Sequence, residues 1–404
     1  MSKSSFAKPV SQRGNKVFRN SRHGGNNRPQ RAGQYIDPQR FINQAAQPAD
    51  QAEFVPTHTF NDFGLMPELE RTIAERGFSI PTPIQDGAIK PALAGRDIIG
   101  IANTGTGKTA AFVLPIIQAL KHQPNQTALI IAPTRELAIQ IDEEFRAFAR
   151  GLRLYSALIV GGAGINRQVS QLRQGPQVVV GTPGRLKDLY NQHALKLGSV
   201  GILVLDEADR MLDMGFIHDI RFLLDRLPAK RQSYCFSATI PADIRRLIDQ
   251  MLVDPVVISV RTSETSDHVE QNIIRAGSKD EKIRILQGLL AQPDFDKVLI
   301  FGQTKWSVQR LADNLAGQGF KAEAIHGNKS QPQRQRALQA FKDGRTSILV
   351  ATDVAARGLD IPQVSHVINF DQPTTYEDYI HRIGRTGRAG HRGHALTFVA
   401  GPAS

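Results

Sequence analysis

Residues 103–109 read Asn-Thr-Gly-Thr-Gly-Lys-Thr, a run whose types and order suit the holding of phosphate groups. Gly105 and Gly107 let the backbone curl so that successive N–H groups face anionic oxygens, at the positive end of a following helix. Lys108 adds a point charge that reaches the outer phosphates, and the Thr109 hydroxyl is an oxygen donor suited to Mg²⁺. The generic phosphate-loop pattern carries glycine at position 102, where this chain has alanine. Further on, residues 206–209 read Asp-Glu-Ala-Asp after the apolar run 202–205. A carboxylate at a strand's carboxyl end, Asp206, is placed to hold a metal against a neighbouring phosphate loop. Glu207 beside it can orient and deprotonate an attacking water. Together the two stretches describe a nucleotide-hydrolysis site.

Such a site needs strands to carry it. Short apolar, β-branched runs occur at 97–102, 128–132, 178–180, 202–205 and 234–237, and again at 297–301, 347–351, 366–370 and 395–399. Several lack polar alternation, as strands of a parallel sheet covered on both faces do. Helical stretches separate them, which gives an α/β class and two domains in tandem. The polar segment 261–267 (RTSETSD) divides the two series. The expected bounds are a tail over 1–57, a first domain over 58–258, a linker over 259–268 and a second domain over 269–404.

The chain has 404 residues with 41% hydrophobic content, enough for sizeable cores, so a disulfide-stapled miniprotein is excluded. One cysteine, Cys235, supplies neither an intramolecular disulfide nor a cysteine zinc cluster. No apolar run approaches the length of a spanning helix, and the N-terminus lacks a signal-peptide core, so a cytoplasmic location is expected. The net charge is +12, and residues 1–50 hold nine basic side chains against Asp37 and Asp50. A basic tail on a nearly balanced body suggests a polyanionic partner, nucleic acid or anionic membrane. The tail is rich in Gly, Asn, Gln, Arg, Pro and Ser and poor in aliphatics, so it is expected to be largely disordered and to act as an arm for such a polyanion. Its Gly/Asn-rich run 24–28 disfavours an amphipathic transit peptide.

A series of motifs over residues 60–400 resembles the DEAD-box ATP-dependent RNA helicases of superfamily 2. The stretches, in family order, are 77–85 (GFSIPTPIQ), 102–109, 133–137 (PTREL), 161–162 (GG), 182–185 (TPGR), 206–209 (DEAD) and 237–239 (SAT). They continue with 299–301 (LIF), 331–334 (QPQR), 352–360 and 381–388 (HRIGRTGR). The resemblance implies two RecA-like domains, each a mostly parallel sheet flanked by helices, with ATP in the cleft between them and RNA across both. It implies that Gln85 reads the N6/N7 edge of adenine and that Phe78 stacks on the base. Phe60 matches the family's isolated upstream aromatic. Thr104, Gly105, Thr106, Gly107, Lys108 and Thr109 would cradle the phosphates, and Asp360 would meet the ribose. Thr109 and Asp206 would hold Mg²⁺, partly through water. Arg385 and Arg388 would act as arginine fingers from the second domain, since a planar guanidinium suits charge developing on a transferring phosphoryl group. Ser237 and Thr239 resemble the coupling motif that links residues 206–209 to the second domain. His381 and Arg382 would join contacts between the domains.

The same resemblance assigns RNA contacts to Pro133, Thr134, Arg135, Gly162, Thr182 and Arg185 in the first domain, and to Arg334, Thr352, Arg357 and Gly358 in the second. Such groups grip sugar and phosphate without reading bases, and 2′-hydroxyl contacts favour RNA over DNA. The sequence ends soon after the 395–399 run, where the resemblance implies a further helix; either that helix is dispensable or the sequence is incomplete. Targeting is expected from the N-terminal tail or a partner rather than from a C-terminal accessory domain. The expected activity is RNA-stimulated ATP hydrolysis coupled to local, non-processive unwinding or remodelling of RNA duplexes and ribonucleoproteins, with ATP and Mg²⁺. A monomer is expected, with RNA as its partner and with ribonucleoprotein, RNA-decay or ribosome-assembly proteins as further candidates. An ATP-gated RNA clamp is the alternative use of the same parts.

Overall fold

A computed structural model describes residues 36–43, 54–103, 105–260, 269–356, 364–387 and 392–401. Seven strands form the first sheet: β1 (Ile98–Ile101), β2 (Thr127–Ile131), β3 (Ser156–Ile159), β4 (Val178–Gly181), β5 (Val200–Leu205), β6 (Gln232–Ser237) and β7 (Val256–Ser259). Their order is β3-β4-β2-β5-β6-β1-β7. Six strands form the second sheet: β8 (Val269–Ala276), β9 (Val298–Phe301), β10 (Ala322–Ile325), β11 (Ile348–Ala351), β12 (His366–Asn369) and β13 (Gly393–Ala400). Their order is β10-β11-β9-β12-β13-β8. Every strand pair is parallel.

The unbroken apolar runs have a simple cause. Successive strand residues point to opposite faces, and both faces here are covered by helices. Ile98, Ile130, Val180 and Val204 enter one core, while Ile99, Leu129, Val179 and Leu203 enter the other. The second sheet repeats this, with Val298, Ile300 and Val350 on one side and Leu299, Phe301 and Leu349 on the other. Cys235 is fully buried, and burial pushes its thiol up to about 12. No helix among the described residues is long and apolar enough to cross a membrane.

Parallel strands send all their carboxyl ends to one edge of a sheet, so the loops after β1, β5 and β6 gather there. β1 and β5 flank β6, which brings the segments beginning at Ala102 and Asp206 together.

Within the segment expected to be largely disordered, one short stretch is folded. Residues 38–41 form a 3₁₀ turn capped by Asp37, whose Oδ1 accepts from Gln39 N at 2.9 Å. Phe41 is fully buried with Val269, Tyr379, Ile383, Ala395 and Val399. Its ring centroid lies 4.7 Å from that of Tyr379, and the Arg40 guanidinium lies 3.8 Å over the Tyr376 ring. Asn43 and Gln271 exchange both backbone hydrogen bonds, at 3.0 and 2.8 Å, on the open edge of β8. One aromatic anchor and a waiting sheet edge suffice here, and neither produces a periodic pattern. Farther along, Thr57 N and His58 N donate to Asp86, which fixes the entry to the first domain. The remainder of the expected tail and residues 261–268 of the expected linker lie outside the described residues.

The docked turn makes a prediction. Truncating a buried phenylalanine costs about 3–5 kcal/mol, more than so short a strap can spare. Phe41→Ala should therefore speed tryptic cleavage after Arg40 by about tenfold or more. An unchanged cleavage rate would show that Phe41 does not hold the segment.

Candidate functional site

The phosphate loop is held from two sides. Gly107 has a φ of 91°, and a Cβ placed there would come within 2.5 Å of Gln85 Nε2, so glycine is required on both counts. Gln85 is buried. Its Nε2 donates to Gly107 O at 3.1 Å and its Oε1 accepts from Thr82 N at 3.0 Å. The residue expected to read a base thus also ties the loop to the helix Pro83–Leu93. Lys108 opens the helix Lys108–His122 and donates from Nζ to Ala102 O at 2.9 Å, which keeps it folded back over the loop. Thr109 follows it in the first turn. Thr106 Oγ1 donates to Asn103 O at 2.8 Å and tightens the turn that includes Gly105. Thr104 lies outside the described residues.

The two carboxylates sit across from the loop. Asp206 is 2% exposed. Burial pushes its carboxyl up to about 6; Lys108 opposes this rise, and Glu207 and Asp209 add to it. Glu207 adopts the left-handed conformation, with φ 53°. One of its oxygens, Oε2, pairs with Arg210, whereas Oε1 is buried without a hydrogen-bond partner. A buried, unpaired carboxylate oxygen is costly and marks a place where a further donor belongs.

Asp209, beside these carboxylates, is tied into a hydrogen-bonded knot. Its Oδ2 accepts from Ala238 N at 3.1 Å, Thr239 N at 2.8 Å and Thr239 Oγ1 at 3.0 Å. Ser237 Oγ accepts from Asp209 N at 3.1 Å and donates to Thr239 O at 2.7 Å. The 237–239 stretch therefore cannot shift without moving the 206–209 stretch.

The second sheet reaches the same place. A cavity of about 70 Å³ is lined by Lys108, Glu207 and Asp209 from the first sheet and by His381, Gly384 and Arg385 from the second. Arg385 is buried there. Arg382, expected between the domains, instead binds within the second one. Its Nε and Nη2 donate to the two oxygens of Asp353 at 2.6 and 2.7 Å, and its Nη1 donates to Asn369 Oδ1 and Asp371 O. Bidentate pairing locks the helix Tyr376–Ile383, and with it the approach to Arg385.

The aromatic pair expected at the base is packed differently. Phe60 is 5% exposed and belongs to the first core, edge-on to Phe63 and Phe78 with centroids at 5.9 and 6.2 Å. That leaves little of its ring exposed. Phe78 is partly buried, edge-on to Phe148 at 5.6 Å.

A second group of residues lies on the neighbouring loops. Arg135 follows Thr134, whose hydroxyl caps the helix Arg135–Phe148 by accepting from Leu137 N at 3.2 Å. Burial, then Arg334 and Arg185 nearby, hold the Arg135 guanidinium below its ordinary value, with Glu136 opposing. Three cations thus gather here, with the buried Glu136 among them. Arg185 Nη1 donates to Ala163 O at 3.2 Å. Gly162 has φ 72°, and a Cβ there would stand 1.9 Å from Arg135 Nη1, so its bareness is what admits the guanidinium. Pro133, Thr134 and Thr182 are buried, the last as the cap of the helix Pro183–Asn191. Arg334 bridges the two sheets through Glu136 Oε1 at 2.9 Å, while its Nε is buried and unpartnered. Glu136 was not singled out from the sequence; its place inside the 133–137 motif was the available signal. Thr352, at the end of β11, is half-buried. Arg357, Gly358, Asp360 and Arg388 lie outside the described residues.

Comparison with known proteins agrees with this arrangement. The DEAD/DEAH box helicase family model matches residues 82–247, and the helicase conserved C-terminal domain matches residues 281–390. The chain is 47% identical over 342 residues to the ATP-dependent RNA helicase CshA of Limosilactobacillus reuteri, covering 84% of this chain and 69% of that protein. It is 45% identical over 329 residues to the RNA helicase CrhR of a Synechocystis strain, covering 81% and 67%. Among solved structures, S. cerevisiae Dbp5 bound to RNA and ADP BeF3 aligns with TM-score 0.74 and 33% identity over 85% of this chain and 90% of that one. Mss116p bound to ssRNA and AMP-PNP aligns with TM-score 0.76 and 30% identity over 89% and 77%. Shared sequence across most of the chain and a shared two-sheet architecture lead to one assignment: the protein belongs to the DEAD-box family of ATP-dependent RNA helicases.

Proposed function

We propose that the cavity between the two sheets is where RNA binding is converted into ATP hydrolysis, and that closing the cleft is the switch. The observation that carries this reading is that Arg385 lines the same cavity as Lys108 and Glu207. The loop 103–109 binds the phosphates, Lys108 leaves Ala102 O for the outer ones, and Glu207 Oε1 takes up the attacking water and its proton. Mg²⁺ suits the oxygen donors of Thr109 and Asp206, whose buried carboxylate gains a counter-charge, and it would neutralise charge on the phosphate oxygens. Arg385 completes the site only when the second sheet is near. The Asp209–Thr239 knot carries movement at the carboxylates to the interdomain surface. Arg135, Arg185 and Arg334 would hold the RNA backbone across both sheets, and the Arg334–Glu136 bridge would break or tighten as the domains part or meet. Closure on one strand bends it and strips its partner. Hydrolysis and phosphate release then reopen the cleft. RNA is the partner in this reading, acting on a monomer.

The test is ATP turnover measured against RNA, metal and base. Turnover should rise with single-stranded RNA and fall to background when Mg²⁺ is chelated. ATP should be preferred over GTP, because buried polar groups left unpaired reject the wrong base by up to about 10⁴–10⁵-fold. Gln85→Ala should erode that preference and weaken phosphate binding together, since the same amide anchors Gly107. Equal use of ATP and GTP by the unmodified protein would remove Gln85 from base recognition.

A further inference from the structure

The chain has a single tryptophan, and it faces solvent. Trp306 is 72% exposed in the first turn of the helix Lys305–Gly317, directly after β9. That places it on the carboxyl edge of the second sheet, where β11 ends at Thr352 and β10 leads into His326. Lys305 Nζ lies 5.7 Å from the indole centroid and donates to Asn328 Oδ1 at 3.0 Å, so it holds one face of the ring in place. The surroundings are cationic. Burial, then Lys329, Arg334 and Lys305, lower the His326 pKa, with Asp313 opposing. Arg334 in turn belongs to the arginine group with Arg135 and Arg185. Arg334, Lys329 and Lys305 are thus gathered around His326, the first two paired with Glu136 and Glu323 and Lys305 with no carboxylate beside it among the described residues, and the exposed indole adjoins Lys305.

We propose that Trp306 is a base-stacking subsite, on which a nucleobase of bound RNA lies while Lys305 and Lys329 meet the adjoining phosphates. This rests on the RNA-binding reading above and adds a contact to a base, where the arginines address only the backbone. Tryptophan side chains are usually buried for most of their surface, and an exposed indole offers a large, rigid aromatic face for stacking. A protein partner would favour an apolar patch around the ring, whereas the side chain held over the ring here is the Lys305 ammonium. Stacking on an aromatic face within a basic groove is the common way to hold single strands without selecting sequence. Lys305 guards one face, and the other is open to a base.

The lone tryptophan also supplies the probe. Indole emission should be quenched when a short oligouridylate is added, and much less by an equimolar ribose–phosphate chain without bases. Trp306→Ala should raise the RNA concentration for half-maximal ATPase stimulation by about 5- to 150-fold, the range for loss of one stacked base. Trp306→Phe should recover most of that loss. Binding of labelled RNA, followed by anisotropy, keeps the outcomes apart. If the unmodified protein binds RNA but its emission does not change and Trp306→Ala titrates normally, the subsite is refuted and the indole is left to a protein partner. If the unmodified protein binds no RNA, the underlying reading fails with it.

Discussion

Glu207→Gln is expected to bind ATP and RNA normally and to hydrolyse ATP about 10²–10⁴-fold more slowly, the range for loss of a positioned general base. The amide can still accept from Arg210, so the Arg210–Glu207 contact survives in part and the fold is retained. What is lost is basicity at the oxygen that has no hydrogen-bond partner inside the protein. The variant should then hold RNA for a long time in the presence of ATP, because closure persists when hydrolysis does not relieve it. Lys108→Ala should also abolish detectable turnover, but by removing charge from the transferring phosphates, at a cost of about 10²–10³-fold or more. The two differ in binding: retention of RNA with ATP is expected for Glu207→Gln and not for Lys108→Ala. Near-normal turnover in both would remove the site assignment.

Arg385→Ala should lower turnover by about 10³–10⁵-fold, as loss of an arginine finger does, with ATP affinity of the open form nearly unchanged. The asymmetry follows from topology. Arg385 comes from the second sheet, so it meets the phosphates only in the closed cleft, whereas Lys108 and Gln85 belong to the first. Arg385→Lys should rescue little, because a point charge lacks the planar donor set. A severe loss of ATP affinity with turnover per bound ATP preserved would contradict the finger role. Asp353→Ala should mimic a weaker form of the defect. It would leave Arg382 without its bidentate partner, loosening the helix that presents Arg385.

The sequence made the central strands plain and hid the edges. All nine apolar runs read as strands are interior to their sheets, whereas β3, β7, β8 and β10 are the four edge strands. An interior parallel strand must be apolar on both faces, but an edge strand has solvent along one side and tolerates residues such as those of Ala-Glu-Ala-Ile in β10. The catalytic stretches were legible because phosphate loops and strand-end carboxylates impose residue types at fixed spacing. Phe60 was ambiguous for the opposite reason. A phenylalanine beside a ligand motif looks the same in sequence whether it stacks on a base or on Phe78. Arg382 was read as a contact between domains, yet its partners, Asp353, Asn369 and Asp371, come together only once β11, β12 and the helix Tyr376–Ile383 are assembled. Glu136 escaped notice because its partner is nearly two hundred residues away, at Arg334.

The closed fraction and the turnover rate, followed together as RNA is titrated at saturating ATP, bear most directly on the claim that closure switches hydrolysis. Cys235 is buried with its thiol raised to about 12, so cysteines introduced at the exposed positions Glu75 and Asp313 can carry a donor and an acceptor dye without a competing label. Energy transfer and ATP turnover should rise along one curve and reach half-maximum at the same RNA concentration, with neither ligand alone closing the cleft. Full RNA-stimulated turnover with energy transfer unchanged would contradict the account.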